Sequence, residues 1–202
     1  MLKDLLIAGA AAFAMAAAAP ALARAVVGQP APAFTVTDSN GRSHSLSDFR
    51  GKTVVLEWTN AECPFVKKFY GPGEMQRLQA EATRNGVVWL TVNSGAPGKQ
   101  GHLTPAQANA LMKREGFAST AYIPDPDGTL GRLYGARTTP HMFVIDPKGV
   151  LVYAGAIDDT PTANSADIAK ARNHVRAALA DLAAGRPVAV ATSQPYGCSV
   201  KY

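Results

Sequence analysis

The chain has 202 residues, a formal net charge of +5 and 47% hydrophobic residues, which is enough for one domain with a buried core. Its lysines and arginines are scattered, without a basic stripe or interleaved aromatic residues. The sequence therefore gives little support to nucleic-acid binding, and we expect no nucleic-acid partner. The glycines between positions 128 and 135 are not followed by the Gly-Lys-Ser/Thr of a phosphate-binding loop.

The first 25 residues have the pattern of a secretory signal. Lys3 precedes an apolar run from Leu5 to Ala19, and small-residue cleavage triplets follow at 21–23 and 23–25. The run is shorter than the about 20 residues that a membrane span needs, which argues against the alternative of a retained anchor. We predict a cleaved signal over 1–25 and a periplasmic or secreted protein, in a compartment where disulfides persist.

Predicted strands and helices alternate over residues 26–185. Short or buried strands are expected at 34–37, 53–58, 87–92 and 122–124, and a hairpin at 142–146 and 150–154. Helical segments are expected at 45–52, 64–80 with a break at 71–73, 104–115, 127–135 and 163–184. This order predicts an α/β fold with a central mixed sheet flanked by helices, followed by an extended tail over 186–202.

The two cysteines lie in different settings. Cys63 follows the strand predicted at 53–58, and Pro64 occupies the first position of the next helix. The free N–H groups and the positive dipole end of a helix N-terminus favour a thiolate there. Cys198 lies in the tail, and an even count of cysteines permits one bridge. The sequence thus indicates redox chemistry at Cys63, with Cys198 as a second thiol.

Three segments resemble one superfamily. Residues 57–66 resemble the active-site turn of thioredoxin-fold redoxins, and residues 138–149 resemble the cis-proline segment and hairpin of that fold. Residues 27–34 resemble the segment that leads into the domain in the peroxiredoxin-like, AhpC/TSA-type branch of this superfamily. The resemblance implies a thioredoxin-like fold, Cys63 as the attacking thiol and a cis peptide bond between Thr139 and Pro140.

The chain departs from both family patterns near the thiol. Leu56 and Asn60 stand where typical peroxiredoxins have proline and threonine, and Pro140 stands where they have arginine. Val66 stands where thioredoxins have their second active-site cysteine, and Lys67 stands where copper-delivery relatives have theirs. These departures put rapid peroxide reduction in doubt, and no metal site is expected.

The remaining pocket residues are assigned by position. Asn60 is expected to replace threonine as a hydrogen-bonding group, and Arg137 is expected to supply positive charge from the loop before the cis-proline. Pro64, Thr139 and Pro140 are expected to shape the pocket around Cys63.

The main function that the resemblance implies is that of a peroxiredoxin-like, thiol-based antioxidant oxidoreductase. Cys63 would attack peroxide, Cys198 would resolve the sulfenic acid to a disulfide, and a thiol electron donor would restore both. The first alternative is thiol–disulfide exchange of the thioredoxin type, with a disulfide substrate. The second is a non-catalytic binding module in which Cys63–Cys198 is a structural disulfide. No organic cofactor is implied, and a homodimer is left open.

Several charged and imidazole side chains are assigned to ordinary structural roles. Lys68 is expected to add weak positive potential near the thiol, and Asp158 and Asp159 to cap a turn or face solvent. His141 is expected to be a partly buried strand residue, and His174 a surface residue.

Overall fold

The computed structural model describes residues 24–202, so nearly all of the predicted signal at 1–25 lies outside the described residues. The strands are β1 (Thr35–Thr37), β2 (Ser43–Ser45), β3 (Val54–Trp58), β4 (Val88–Asn93), β5 (Ala121–Pro124), β6 (Thr138–Thr139), β7 (His141–Ile145), β8 (Leu151–Gly155) and β9 (Cys198–Ser199). The α-helices are α1 (Pro64–Tyr70), α2 (Glu74–Arg84), α3 (Pro105–Glu115), α4 (Thr129–Tyr134) and α5 (His174–Ala183), with 3-10 helices at Leu46–Phe49 and Ser165–Lys170. Within the described residues, no helix is both long and apolar enough to span a bilayer.

A five-stranded mixed sheet forms the centre of the molecule, in the order β5-β4-β3-β7-β8. The β3–β4 and β4–β5 pairs are parallel, whereas β7 and β8 run antiparallel to their neighbours as a hairpin. This confirms the predicted α/β class, the mixed sheet and its thioredoxin-like architecture. β2, which pairs with β1 in a separate small sheet, was not expected from the sequence.

Both faces of the central sheet are buried. Every residue of β3 and β4 is buried, as expected of central strands covered by helices on both sides. Side chains alternate between two core clusters: Leu56 packs on one face with Leu90 and Phe143, and Val55 packs on the other with Trp89. β3 is therefore held firmly, and its carboxyl end is a fixed point from which the chain turns into α1.

The helix predicted over 64–80 is two helices. The break at residues 71–73 is confirmed, because Pro72 lacks an amide hydrogen and Gly73 has the left-handed φ of +79°. The second helix continues to Arg84, beyond the predicted end.

The single helix predicted over 163–184 is wrong. The chain instead forms the 3-10 helix Ser165–Lys170, leaves helical geometry, and begins α5 at His174. Two hydrogen bonds to side chains explain the interruption: Asp159 accepts the Arg172 amide at 2.9 Å, and the Asn173 side chain accepts the Arg176 amide at 2.9 Å as an N-cap. Competing side-chain acceptors thus override the apolar periodicity.

The tail is extended, as predicted, but it is anchored to the domain at several points. The Ala154 amide donates to Ala191 and the Ser193 amide donates back to Ala154, so the tail runs along the edge strand β8. Near the end of the chain, the Ala96 amide donates to the carbonyl of Lys201 at 2.8 Å. Cys198 is therefore carried on a docked segment rather than on a flexible one.

Candidate redox site

Cys63 lies at the junction of β3 and α1. It is the N-cap residue of α1, with Pro64 as the first helical residue. The Asn60 side chain holds the preceding turn: its Oδ1 accepts the Glu62 amide at 2.9 Å, and its Nδ2 donates to the Gln100 carbonyl at 3.3 Å. Asn60 therefore fixes the loop that presents Cys63, and its amide is committed to backbone partners.

Cys63 and Cys198 form a disulfide across 135 residues of sequence, with their Cα atoms 6.0 Å apart. This separation lies in the usual range for a disulfide. Cys63 is 0% exposed, whereas Cys198 is partly exposed. The pairing that the sequence left open as resolving or structural is therefore present, and the two cysteine residues differ in burial.

The cis-proline segment lies directly against the disulfide. The Thr139–Pro140 peptide bond is cis, as the resemblance predicted, and β9 pairs with β6 so that Cys198 is opposite Thr139. Cys63 Sγ lies 3.2 Å from the Thr139 carbonyl oxygen. Gly197 passes so close to that carbonyl that a Cβ atom would overlap it, and its φ of +131° also favours glycine.

The structure brings most of the predicted site residues together. Asn60 and Pro64 flank Cys63 in sequence, and Thr139 and Pro140 lie beside the disulfide. Arg137 contacts the tail through its backbone: its carbonyl accepts the Val200 amide at 3.0 Å, and the residue is exposed. Its predicted role as a source of positive charge for the pocket stays a prediction.

A buried polar cluster of Lys68, Asp158 and Tyr196 joins α1 to the tail, and it was not expected from the sequence. Lys68 and Asp158 form an ion pair at 2.9 Å with side-chain exposures of 0% and 2%. Lys68 Nζ also donates to the Tyr196 hydroxyl at 3.1 Å and to the Thr160 carbonyl at 2.7 Å. The expectation that Asp158 caps a turn is confirmed, because it accepts the Thr160 amide at 3.0 Å, whereas the alternative that it faces solvent is wrong. Lys68, expected to add weak positive potential near the thiol, is buried and paired with this carboxylate.

A second buried carboxylate lies on β3. The fully buried Glu57 accepts hydrogen bonds from Trp89 at 2.7 Å, Tyr70 at 2.7 Å, Gln79 at 2.9 Å and Thr91 at 3.3 Å. Burial raises the pKa of Glu57, and the hydrogen bonds that it accepts act in the opposite direction. Four donors aimed at one carboxylate make it a fixed junction between β3, β4 and the two helices α1 and α2.

The imidazole of His141 is buried directly after the cis-proline. Burial, and then the positive charge of Arg137, lower the pKa of His141 to about 3, so the ring is neutral near pH 7. Its Nδ1 accepts the Arg137 amide at 3.3 Å. Across residues 24–202, no three His, Cys, Asp or Glu side chains come close enough to hold a metal ion. His174, expected at the surface, is half-buried, and its Nδ1 is buried.

Comparison with known proteins agrees with this geometry. The model of the AhpC/TSA family matches residues 27–154. The thiol-disulfide oxidoreductase ResA of Geobacillus thermodenitrificans is 31% identical over 123 residues, which are 61% of this chain and 65% of that relative. The chain thus spans less than two thirds of the length of that relative.

Solved structures give the same fold. A hypothetical protein from Sinorhizobium meliloti has a TM-score of 0.74 at 23% identity, covering 88% of this chain and 94% of that one. The thioredoxin domain of a thiol-disulfide oxidoreductase from Bacteroides vulgatus has a TM-score of 0.50 at 20% identity, covering 72% and 96%. With a family model matched over more than half of its length, the chain belongs to the AhpC/TSA family.

Proposed function

We propose that this protein is a thiol–disulfide exchange protein whose redox centre is the Cys63–Cys198 pair. The observation that carries the proposal is a disulfide formed at the cis-proline segment, in which Cys198 is a partly exposed residue. The relatives named thiol-disulfide oxidoreductase ResA support it, because one of them is 31% identical to this chain over 123 residues. Export through residues 1–25 is part of the same proposal, since a disulfide partner persists in an oxidising compartment.

The exchange transfers two electrons and two protons. A client or donor dithiol reduces the disulfide through a mixed disulfide, and the protein is left with two thiols. In the opposite direction, the reduced pair attacks a client disulfide, and the second cysteine closes the Cys63–Cys198 bond while the client leaves as a dithiol. The docked tail favours this closure because Cys198 lies opposite Thr139 and within bonding distance of Cys63.

Peroxide reduction is the second candidate, favoured by membership of the AhpC/TSA family. Cys63 thiolate would attack the O–O bond, become sulfenic acid and release an alcohol or water, and Cys198 would then expel water to form the disulfide. The structure supplies less for this route. Asn60, which replaces the threonine typical of peroxiredoxins, has both ends of its amide engaged by the backbone.

The two candidates are separated by measuring both reactions on one protein. Oxidised protein is treated with dithiothreitol under native conditions, and reduced protein is treated in turn with hydroxyethyl disulfide and with hydrogen peroxide. Acid quenching, thiol alkylation and intact mass report the redox state at each time. Cys63→Ser and Cys198→Ser are the controls, because each removes the intramolecular disulfide.

We expect ready reduction by the dithiol, reoxidation by the disulfide, and consumption of peroxide no faster than by a free thiol. Peroxide consumption far above that of a free thiol would favour the antioxidant function instead. A disulfide that resists dithiothreitol until denaturant is added would refute exchange and leave the structural bridge.

A further inference from the structure

The two sulfurs of the disulfide are not equally open to attack. Cys63 is 0% exposed beneath the tail and the cis-proline segment, whereas Cys198 is partly exposed. An attacking thiolate must reach one sulfur in line with the S–S bond and expel the other. With the tail docked, burial closes the route to Cys63, and Cys198 is the partly exposed residue of the pair.

A specific cluster holds the tail in this position. Tyr196, two residues before Cys198, packs edge-on against Phe65 of α1 with ring centroids 5.8 Å apart. Its hydroxyl group is hydrogen-bonded to Asp158 and accepts from Lys68 at 3.1 Å. Lys68 is also on α1, so the tyrosine fastens the tail to the helix that begins at Cys63.

The Tyr196 hydroxyl completes the hydrogen bonding of two charges that are removed from water. The Lys68 and Asp158 side chains are 0% and 2% exposed, and a buried ion pair is favourable only when hydrogen bonds satisfy its remaining donors and acceptors. The Tyr196 hydroxyl satisfies one site on each charge. Displacing the tail therefore removes the Tyr196 hydroxyl from both charges.

We propose that external thiols and disulfides react at Cys198, that Cys63 is the internal partner sulfur, and that Lys68, Asp158 and Tyr196 are the positioning residues that enforce this order. The proposal rests on the proposed exchange function and deepens it. It reverses the order implied by the resemblance, in which Cys63 makes the first attack.

The steps balance in both directions. During reduction, an external thiolate bonds to Cys198 Sγ, the S–S bond breaks, and its electron pair goes to Cys63 Sγ, which takes up a proton. The second thiol of the external dithiol then bonds to the first, releasing Cys198 as a thiol. During oxidation, Cys198 thiolate attacks the client disulfide, and Cys63 thiolate attacks Cys198 Sγ and expels the client thiol.

The test compares single-cysteine variants of the full chain. Cys63→Ser leaves only Cys198, and Cys198→Ser leaves only Cys63. Each is mixed with 5,5′-dithiobis(2-nitrobenzoate) in the native state and in urea, and the native rate is divided by the unfolded rate to remove intrinsic thiol reactivity. We expect this ratio to be at least about tenfold larger for Cys198, because Cys63 reacts only when the tail opens.

The cluster is tested in the Cys198→Ser background by adding Tyr196→Phe. Loss of a hydroxyl bonded to charged groups should increase tail opening and raise the Cys63 labelling rate about tenfold. The matched control is Tyr134→Phe, because the Tyr134 hydroxyl donates to the Pro32 carbonyl at 2.8 Å within the other core cluster. This control should leave the Cys63 rate unchanged.

Two results would overturn the inference. A ratio of native to unfolded labelling rate for Cys63 that equals or exceeds the ratio for Cys198 would show that the sulfur assignment is wrong. An unchanged Cys63 rate in Tyr196→Phe would show that the cluster does not hold the tail. Neither result depends on exchange activity, which is judged separately by reduction of the wild-type disulfide with dithiothreitol.

Discussion

Replacing Lys68 by methionine removes the cation of the buried cluster and keeps the unbranched side chain up to its ε-carbon. Lys68 Nζ makes three hydrogen bonds, to Asp158, Thr160 and Tyr196. Breaking a buried ion pair by removing one partner costs about 3–5 kcal/mol, because the other charge stays buried. Asp158 keeps two donors, the Thr160 amide at 3.0 Å and the Tyr196 hydroxyl, so we expect a loss near the lower limit, about 3 kcal/mol.

The assay is urea unfolding at pH 7 with the Cys63–Cys198 disulfide intact, so that the unfolded reference state is the same in every variant. The double variant Lys68→Met/Asp158→Asn is the matched control, because it removes both charges. It should recover part of the lost free energy of unfolding, since no uncompensated charge remains. A loss below about 1 kcal/mol in Lys68→Met, with no recovery in the double variant, would refute the view that this pair is desolvated.

Two further predictions test the surroundings of the disulfide. The folded-state pKa of His141 lies at about 3, below the unfolded value of 6.5, so the unfolded state binds more protons between these limits and stability falls as pH decreases through 6.5. In His141→Asn, the loss of unfolding free energy between pH 7 and pH 5, measured with urea, should be smaller than in the wild type by up to about 2 kcal/mol; equal slopes would contradict the assignment. Gly197→Ala would place a Cβ atom onto the Thr139 carbonyl, a backbone group that cannot rotate away, so the disulfide should become easier to reduce. Equilibration with glutathione measures this effect, and an unchanged equilibrium would show that the tail adapts without cost.

The parts of the fold that sequence reasoning predicted have local causes. The run over 53–58 is apolar and β-branched, and it forms the fully buried strand β3. Thr104 and Gln107 form the capping box expected at the start of α3, and Gly116 ends that helix in the left-handed conformation. Each of these signals lies within a few residues of the structure that it specifies.

The features that sequence reasoning did not predict depend on contacts between residues that are far apart in the chain. The apolar spacing over 163–184 was consistent with one helix, but Asp159 accepts an amide hydrogen from the middle of that segment. Asp159 lies 13 residues before its partner Arg172, and helical periodicity contains no information about such a contact. The extended form of the tail was predictable, whereas its contacts with β8 and the Ala96 loop depend on which strand forms the sheet edge.

The same distinction divides the candidate site. Cys63, Pro64 and the Thr139–Pro140 peptide bond were identified from motifs, because each belongs to a contiguous segment with a recognisable pattern. Lys68, Asp158 and Tyr196 come from three segments separated by 90 and 38 residues, and none of them belongs to a motif. The packing of α1 against the segment after β8 brings Lys68 and Asp158 together, and the docked tail adds Tyr196.

The two cysteines of this redox centre lie on separate segments, Cys63 at the start of α1 and Cys198 in the tail. A thioredoxin-like centre with both cysteines on one helix fixes their distance through local backbone geometry, but Val66 replaces the second cysteine here. The chain supplies the second sulfur from its tail, so the distance between Cys63 and Cys198 depends on tertiary contacts. A buried ion pair completed by Tyr196 is a specific contact of this kind, because an incorrectly placed tail leaves its charges with unmet hydrogen bonds. The redox behaviour of this centre should therefore depend on tail docking as much as on the sulfur atoms themselves.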